Sequence, residues 1–322
     1  MGVVLACFAP CGRTVIASDN FGIYYRNQIK VGQGENIMYS PNHLNVTKHL
    51  NGMHKTPRTP AALTTQGIQL PKVILPTPWI ACRLPLLDAQ LRLICFSHAG
   101  GGASVFRTWA NLLQPHQIEL CAIQLPGRES RFKEQAYSDL EQLLDQLTDV
   151  LAPFSDLPCA FFGHSMGGLL AFALAQRWQR MYADLRHVIV SAATPVWLEE
   201  TEPPIHLLPD AEFLHEVVRL NGIPDGVLEN QELMSLILPT LRADFALCAQ
   251  VATMPMSPLN CPLSVYIGTE DPSVEPDGLA LWRQQTRKRF RFRKFPGDHF
   301  YLWPQQKAVI GALIQELLQG EL

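Results

Sequence analysis

The segment "CAFFGHSMGGLLAFALAQRWQRM" (159–181) constrains the fold more than any other stretch of the chain. An apolar run with the character of a buried strand passes through Gly163-His164-Ser165-Met166-Gly167, and apolar residues at helical spacing follow at once. A strand that turns into a helix around one residue needs a very tight bend. Side chains at positions 163 and 167 would meet neighbouring backbone there, which accounts for glycine at both. Such a bend lifts Ser165 to the end of a sheet, with a helix N-terminus behind it. A strand that merely ends in small residues would explain the glycines without any of the partners sought below.

The surrounding pattern agrees with a sheet. Apolar runs at 91–98, 118–125, 187–193 and 263–270 read as further buried strands. "VFRTWANLLQP" and "DLEQLLDQLTDVLAPF" between them carry apolar residues three and four apart, as helices do. Strand–helix alternation implies an α/β fold, a mostly parallel sheet with helices on both faces. The alternation breaks once, between Pro195 and Cys261, where "LPDAEFLHEVVRLNG" and "NQELMSLILPTLRADFALCAQV" read as helices. A helical insertion near the C-terminal ends of the strands predicts a lid over residues 196–260. Residues 1–78 lack sustained periodicity and are rich in turn formers, so we expect a poorly ordered extension before a main domain at 79–322.

Composition removes several classes. A formal net charge of −3 with 17% charged residues gives no electrostatic footprint for nucleic acid. No uninterrupted apolar run reaches the ~18 residues that a membrane span needs. "MGVVLACFAPCG" has no positive charge ahead of its apolar stretch, and Ala6 stands where a myristoylation signal carries Ser or Thr. The eight cysteines form neither a metal-ligand spacing nor a disulfide framework, and Cys95, Cys121 and Cys159 fall inside apolar runs. The cytoplasm is the simplest compartment, and no resident metal or cofactor is expected.

A serine hydroxyl is a weak nucleophile without a base, and the base needs an orienting group. In sheets with a nucleophile elbow these follow in the order Ser, Asp, His. Asp271 ends the run "LSVYIGTED" and His299 lies in "FPGDHFYLW", leaving room between them for the helix "DGLALWRQQT" and the strand "RFRFRKF". Glu270 and Asp277 compete with Asp271. Asp298 adjoins His299 and would point elsewhere, while His98 and His206 are weaker candidates for the base. His164 would support the elbow. The oxyanion would sit on the backbone N–H of Met166 and on one from the loop "SHAGGGAS", at Ala99 or, alternatively, Gly100.

Taken together, "FSHAGGGASVFRTWANLL", "IQLPGRESRF", "FFGHSMGGLLAFALA", "LPDAEFL", "ELMSLILPTLRADF", "GTEDPSV" and "FPGDHFYL" resemble the type II thioesterases of nonribosomal peptide and polyketide synthesis, over about residues 79–322. The resemblance implies an α/β-hydrolase fold and a triad of Ser165, Asp271 and His299. It implies substrates that are acyl groups on the phosphopantetheine of a carrier protein, and a housekeeping role in which stalled or misprimed acyl groups are removed. The chain departs from the family's pattern in three places. Gly297-Asp298 replaces two glycines before the histidine, the lid tail "FALCAQV" lacks the expected acidic and tyrosine residues, and residues 1–78 have no counterpart.

The segment "WRQQTRKRFRFRKF" (282–295) is basic and alternates arginine with phenylalanine, as an edge strand with one solvated face would. Arg287, Arg289 and Arg291 would alternatively form a landing site for an acidic carrier protein. An esterase, lipase-like enzyme or acyltransferase acting on free small molecules would use the same triad. A catalytically silent interaction protein would have no chemical need for all three residues.

Overall fold

The computed structural model describes residues 15–18, 22–25, 76–182, 184–194, 204–219, 230–271 and 276–318. The chain divides into two compact units, Met1–Gly67 and Ile68–Leu322. In the first, β1 (Val15–Ser18) and β2 (Gly22–Tyr25) pair as an antiparallel hairpin. The turn-rich composition predicts no such pairing, since four-residue strands carry too short a pattern to stand out. The rest of residues 1–75 lies outside the described residues, and with it the expected poor order of that extension.

The second unit is built on a seven-stranded sheet. Its strands are β3 (Ile80–Ala81), β4 (Leu91–Phe96), β5 (Ile118–Ile123), β6 (Cys159–His164), β7 (Leu185–Ser191), β8 (Leu263–Gly268) and β9 (Phe290–Phe295). They lie in the order β3-β5-β4-β6-β7-β8-β9, and every neighbouring pair is parallel except β3 with β5. Every residue of β4, β5, β6 and β8 is buried, which is why these strands read as continuous apolar runs rather than as alternation. Within β6, Phe161 packs with the core on one face of the sheet and Phe162 with the core on the other. The chain leaves β4 towards β5 on one side and returns as β6 on the other. The strand order therefore reverses between β4 and β6, and the crevice at their C-terminal ends is where such sheets bind ligands.

The helices follow from their apolar stripes. α1 (Trp109–Leu113) buries Trp109 and Leu113 on one face of the sheet. α2 (Leu140–Leu151) and α3 (Met166–Met181) bury Leu143, Leu144, Phe172 and Trp178 on the other. Asp139 caps α2 by accepting the Gln142 N–H.

The insertion between β7 and β8 supplies α4 (Asp210–Arg219) and α5 (Gln231–Thr253). Phe213 and Val217 of α4 meet Met234 and Leu241 of α5 in a small core of their own. α5 has two unlike halves. Leu247 and Val251 are buried in the main core, and the Gln250 amide bonds the Leu140 N–H and the Ser138 carbonyl. Leu233 and Leu236, nearer the start, are exposed, and Pro239 lies between the two halves. Among the described residues α5 is the one helix long and apolar enough to cross a membrane, by length and composition alone. Residues 196–203 and 220–229 of the expected lid lie outside the described residues.

α6 (Pro276–Gln284) and α7 (Gln306–Leu318) complete the layers. α7 qualifies one expectation. β9 is the edge strand, and its arginine face is half-buried rather than fully solvated. Arg293 reaches Glu316 and Gln315 of α7, while Phe290 and Phe292 pack against the core on the opposite face. The alternation marks an apolar face packed on the core and a polar face that α7 partly covers, because the helix layer reaches the rim of the sheet.

Candidate active site

Ser165 occupies the single residue between β6 and α3, with φ 57° and ψ −123°. That is a strained backbone for a residue with a side chain, and it aims the hydroxyl outward. The flanking glycines are required by close approach. A Cβ at Gly163 would lie 1.9 Å from the Gly167 carbonyl oxygen, and one at Gly167 would lie 2.2 Å from that of Phe96. The Ser165 N–H donates to the Ser191 carbonyl at 2.7 Å, tying the turn to β7.

Three side chains from three connections meet here. His299 Nε2 lies 2.9 Å from Ser165 Oγ, and His299 Nδ1 lies 2.9 Å from Asp271 Oδ2. Ser165 follows β6, Asp271 follows β8 and His299 follows β9, so the parallel sheet delivers all three to one rim. Asp271 and His299 are 8% and 5% exposed, so solvent screens their interaction little. Asp298 turns back to accept the Phe300 N–H at 2.8 Å, Glu270 is exposed, and the side chain of Asp277 lies outside the described residues. The departure at Gly297-Asp298 has a local reason. Gly297 takes φ +121°, whereas Asp298 has no positive φ, so only the first position demands glycine.

The other histidines are structural neighbours. His206 belongs to a short turn of the insertion. The His98 ring stands edge-on to Phe300 and Trp303. His164 is fully buried beneath the elbow, with Nδ1 2.9 Å from Ser191 Oγ, which in turn is 2.6 Å from the Tyr301 hydroxyl. This chain links the strand carrying the serine to the loop carrying His299. Burial first, then the charge of His299, pushes His98 down to about 4 and His164 well below the ordinary histidine range. Both rings are therefore neutral at pH 7, and neither adds a positive charge that would disfavour an imidazolium at His299.

Met166 is the first residue of α3, where a backbone N–H has no intrahelical acceptor. No protein acceptor meets the N–H of Met166 or of Ala99 among the described residues. The N–H of Gly100 is taken, because it donates to Asp244 Oδ2 of α5 at 2.7 Å. That leaves Ala99 as the free donor of the pair weighed from the sequence. Among the described residues no three histidine, cysteine, aspartate or glutamate side chains gather as metal ligands would.

The site also contains an ion pair that sequence reasoning missed. Asp244 is completely buried and accepts both terminal nitrogens of Arg128, each at 2.8 Å. The motifs "LPGRESRF" and "LRADF" signalled both residues, but 116 positions separate them and nothing in the spacing pairs them.

Residues 91–317 match the family described as the Thioesterase domain. The chain belongs to the thioesterase family. It is 39% identical over 230 residues to the gramicidin S biosynthesis protein GrsT of Aneurinibacillus migulanus, covering 71% of this chain and 90% of that protein. It is 33% identical over 223 residues to the human medium-chain S-acyl fatty acid synthase thioesterase, covering 67% and 82%. Among solved structures it resembles BorB, the type II thioesterase of the borrelidin biosynthetic cluster, at 34% identity and TM-score 0.65, covering 74% of this chain and 97% of that one. The family match takes in β4 to β9, the insertion and the three clustered side chains of this thioesterase.

Proposed function

We propose that this type II thioesterase uses Ser165, His299 and Asp271 to hydrolyse acyl groups from the phosphopantetheine arm of peptide or polyketide carrier proteins. The observation that carries the reading is the unbroken line Ser165 Oγ, His299 Nε2, His299 Nδ1, Asp271 Oδ2, with both contacts at 2.9 Å. Its relatives in peptide and polyketide biosynthesis supply the substrate class.

His299 takes the proton of Ser165 as the oxygen attacks the thioester carbonyl. The oxyanion is held by the N–H groups of Met166 and Ala99, and Asp271 stabilises the imidazolium. The C–S bond breaks, and His299 returns its proton to the carrier thiolate. Water then loses a proton to His299 as it attacks the acyl-serine, and the acid and Ser165 are regenerated. Removing stalled or misprimed groups in this way frees the carrier for another cycle. A cytoplasmic setting fits the described cysteines, all of which are free thiols.

The test pairs an acyl-phosphopantetheinyl carrier protein with the p-nitrophenyl ester of the same acid. We expect a higher kcat/KM on the carrier thioester. Turnover of the free ester alone would make the protein a general esterase with the same triad.

The finer reading, a carrier docked on Arg287, Arg289 and Arg291, meets a geometric obstacle. Arg287 and Arg289 precede β9, and Arg291 is its second residue, whereas Ser165 follows the C-terminal end of β6 in the same parallel sheet. A carrier on that cluster would have to reach along a six-residue strand, about 20 Å. We expect Arg287→Glu to leave KM for the carrier substrate within about twofold, as for an exposed charge whose side chain bonds Asn260. A tenfold rise in KM that disappears at high salt would establish the arginine cluster as the docking surface.

A further inference from the structure

We propose that Asp244 is a positioning residue for the reaction, holding the oxyanion loop in place from the lid helix while Arg128 cancels its charge. The inference rests on the catalytic reading above.

Three connections converge on this carboxylate. Asp244 belongs to α5, Arg128 to the loop after β5, and Gly100 to the loop after β4. Oδ2 accepts the Gly100 N–H at 2.7 Å and one Arg128 nitrogen at 2.8 Å, while Oδ1 accepts the other nitrogen. The adjoining turn of α5 faces the same way. The Thr240 hydroxyl donates to the Gly127 carbonyl at 3.1 Å, and a Cβ at Gly100 would come within 2.9 Å of Leu241 Cδ2. One face of the helix is thus seated on both loops.

The Gly100 N–H belongs to the planar peptide that begins at Ala99. Fixing that plane leaves only the two dihedral angles of Ala99 between the held amide and the N–H that would bind the oxyanion. The Ser97 hydroxyl, donating to the Gly101 carbonyl at 2.7 Å, closes the loop on its other side. A bare carboxylate beside a developing oxyanion would raise the barrier. The fork of Arg128 removes that objection and fixes the orientation of the carboxylate. A buried ion pair contributes little net stability compared with apolar residues of the same size, so stability alone is a weak reason for this one.

The experiment uses the full chain and the isosteric change Asp244→Asn, which keeps one acceptor oxygen and removes the charge. Thermal melting establishes folding. Kinetics on an acyl-carrier thioester give kcat and KM. Affinities are measured for an alkylboronic acid, which forms a tetrahedral adduct with the serine, and for a nonhydrolysable thioether analogue of the substrate. We expect kcat to fall roughly 10- to 100-fold, short of the ~10²–10³ lost with an oxyanion donor outright. Boronate affinity falls in parallel, while KM and thioether affinity stay within about threefold. A folded variant with kcat within twofold of the parent overturns the inference, and so does a rise in KM at unchanged kcat. If Asp244→Asn does not fold, Asp244→Asn/Arg128→Gln removes both charges together and is read by the same criteria. Ser165→Ala separates the two claims. If it stays active the catalytic reading fails, and if it is dead while Asp244→Asn is normal, only the role of Asp244 fails.

Discussion

Replacing Ser165 with alanine lowers kcat for thioester hydrolysis roughly 10⁴- to 10⁶-fold, and replacing His299 at the same time lowers it hardly further. In the proposed mechanism one proton passes between the two side chains across their 2.9 Å contact, so removing either would abolish the attack to which both contribute. Residual turnover of the double variant comes from binding and the oxyanion donors alone. Single-turnover assays of Ser165→Ala, His299→Ala and the double variant measure this directly. Losses that multiply would mean that the residues act independently, and the 2.9 Å contact would then have no catalytic meaning.

The second large effect falls on stability. Gly163→Ala destabilises the fold by about 4 kcal/mol or more, at the upper end of what single substitutions do. The new methyl would sit 1.9 Å from a carbonyl oxygen of the first turn of α3, and the backbone that carries each atom is held by the pairing of β6 and by α3. No side chain can move aside to make room. Gly311→Ala is the matched control. A Cβ there meets nothing within 4 Å, and the helical site gains roughly 0.5–1 kcal/mol. Urea midpoints for the two variants should move in opposite directions. A Gly163→Ala protein as stable as the parent would show that the elbow has slack the packing does not suggest.

What could be read from the sequence followed from local pattern. Apolar runs such as "LRLICF" and "CAFFGH" announced strands buried on both faces, because a parallel core strand has no polar side to alternate with. Chain order singled out Ser165, Asp271 and His299, since each lies just past a strand end. The structure brings those side chains together. What stayed hidden depends on contacts across long separations. Arg128 and Asp244 are a bidentate pair only because α5 crosses the loop after β5, and no local periodicity encodes that crossing. Ser191 lies inside an apolar run that reads only as a buried strand, yet its hydroxyl joins His164 to Tyr301. β9 misled for the opposite reason. Its alternation was visible, but the sequence of a strand does not say whether a helix covers its polar face.

Pro239 divides α5 in a way that matters for redesign. Without an N–H it leaves the helical ladder one rung short, between a half that exposes Leu233 and Leu236 and a half that carries Asp244. The exposed Leu233 and Leu236 of the first half can therefore be exchanged with little cost, whereas Met234 between them is committed to the small core with Phe213 and Val217. Residues 240–251 are chassis, and a library that varies both halves together would spend many of its members on proteins that have lost the buried Leu247 and Val251 or the Arg128–Asp244 pair.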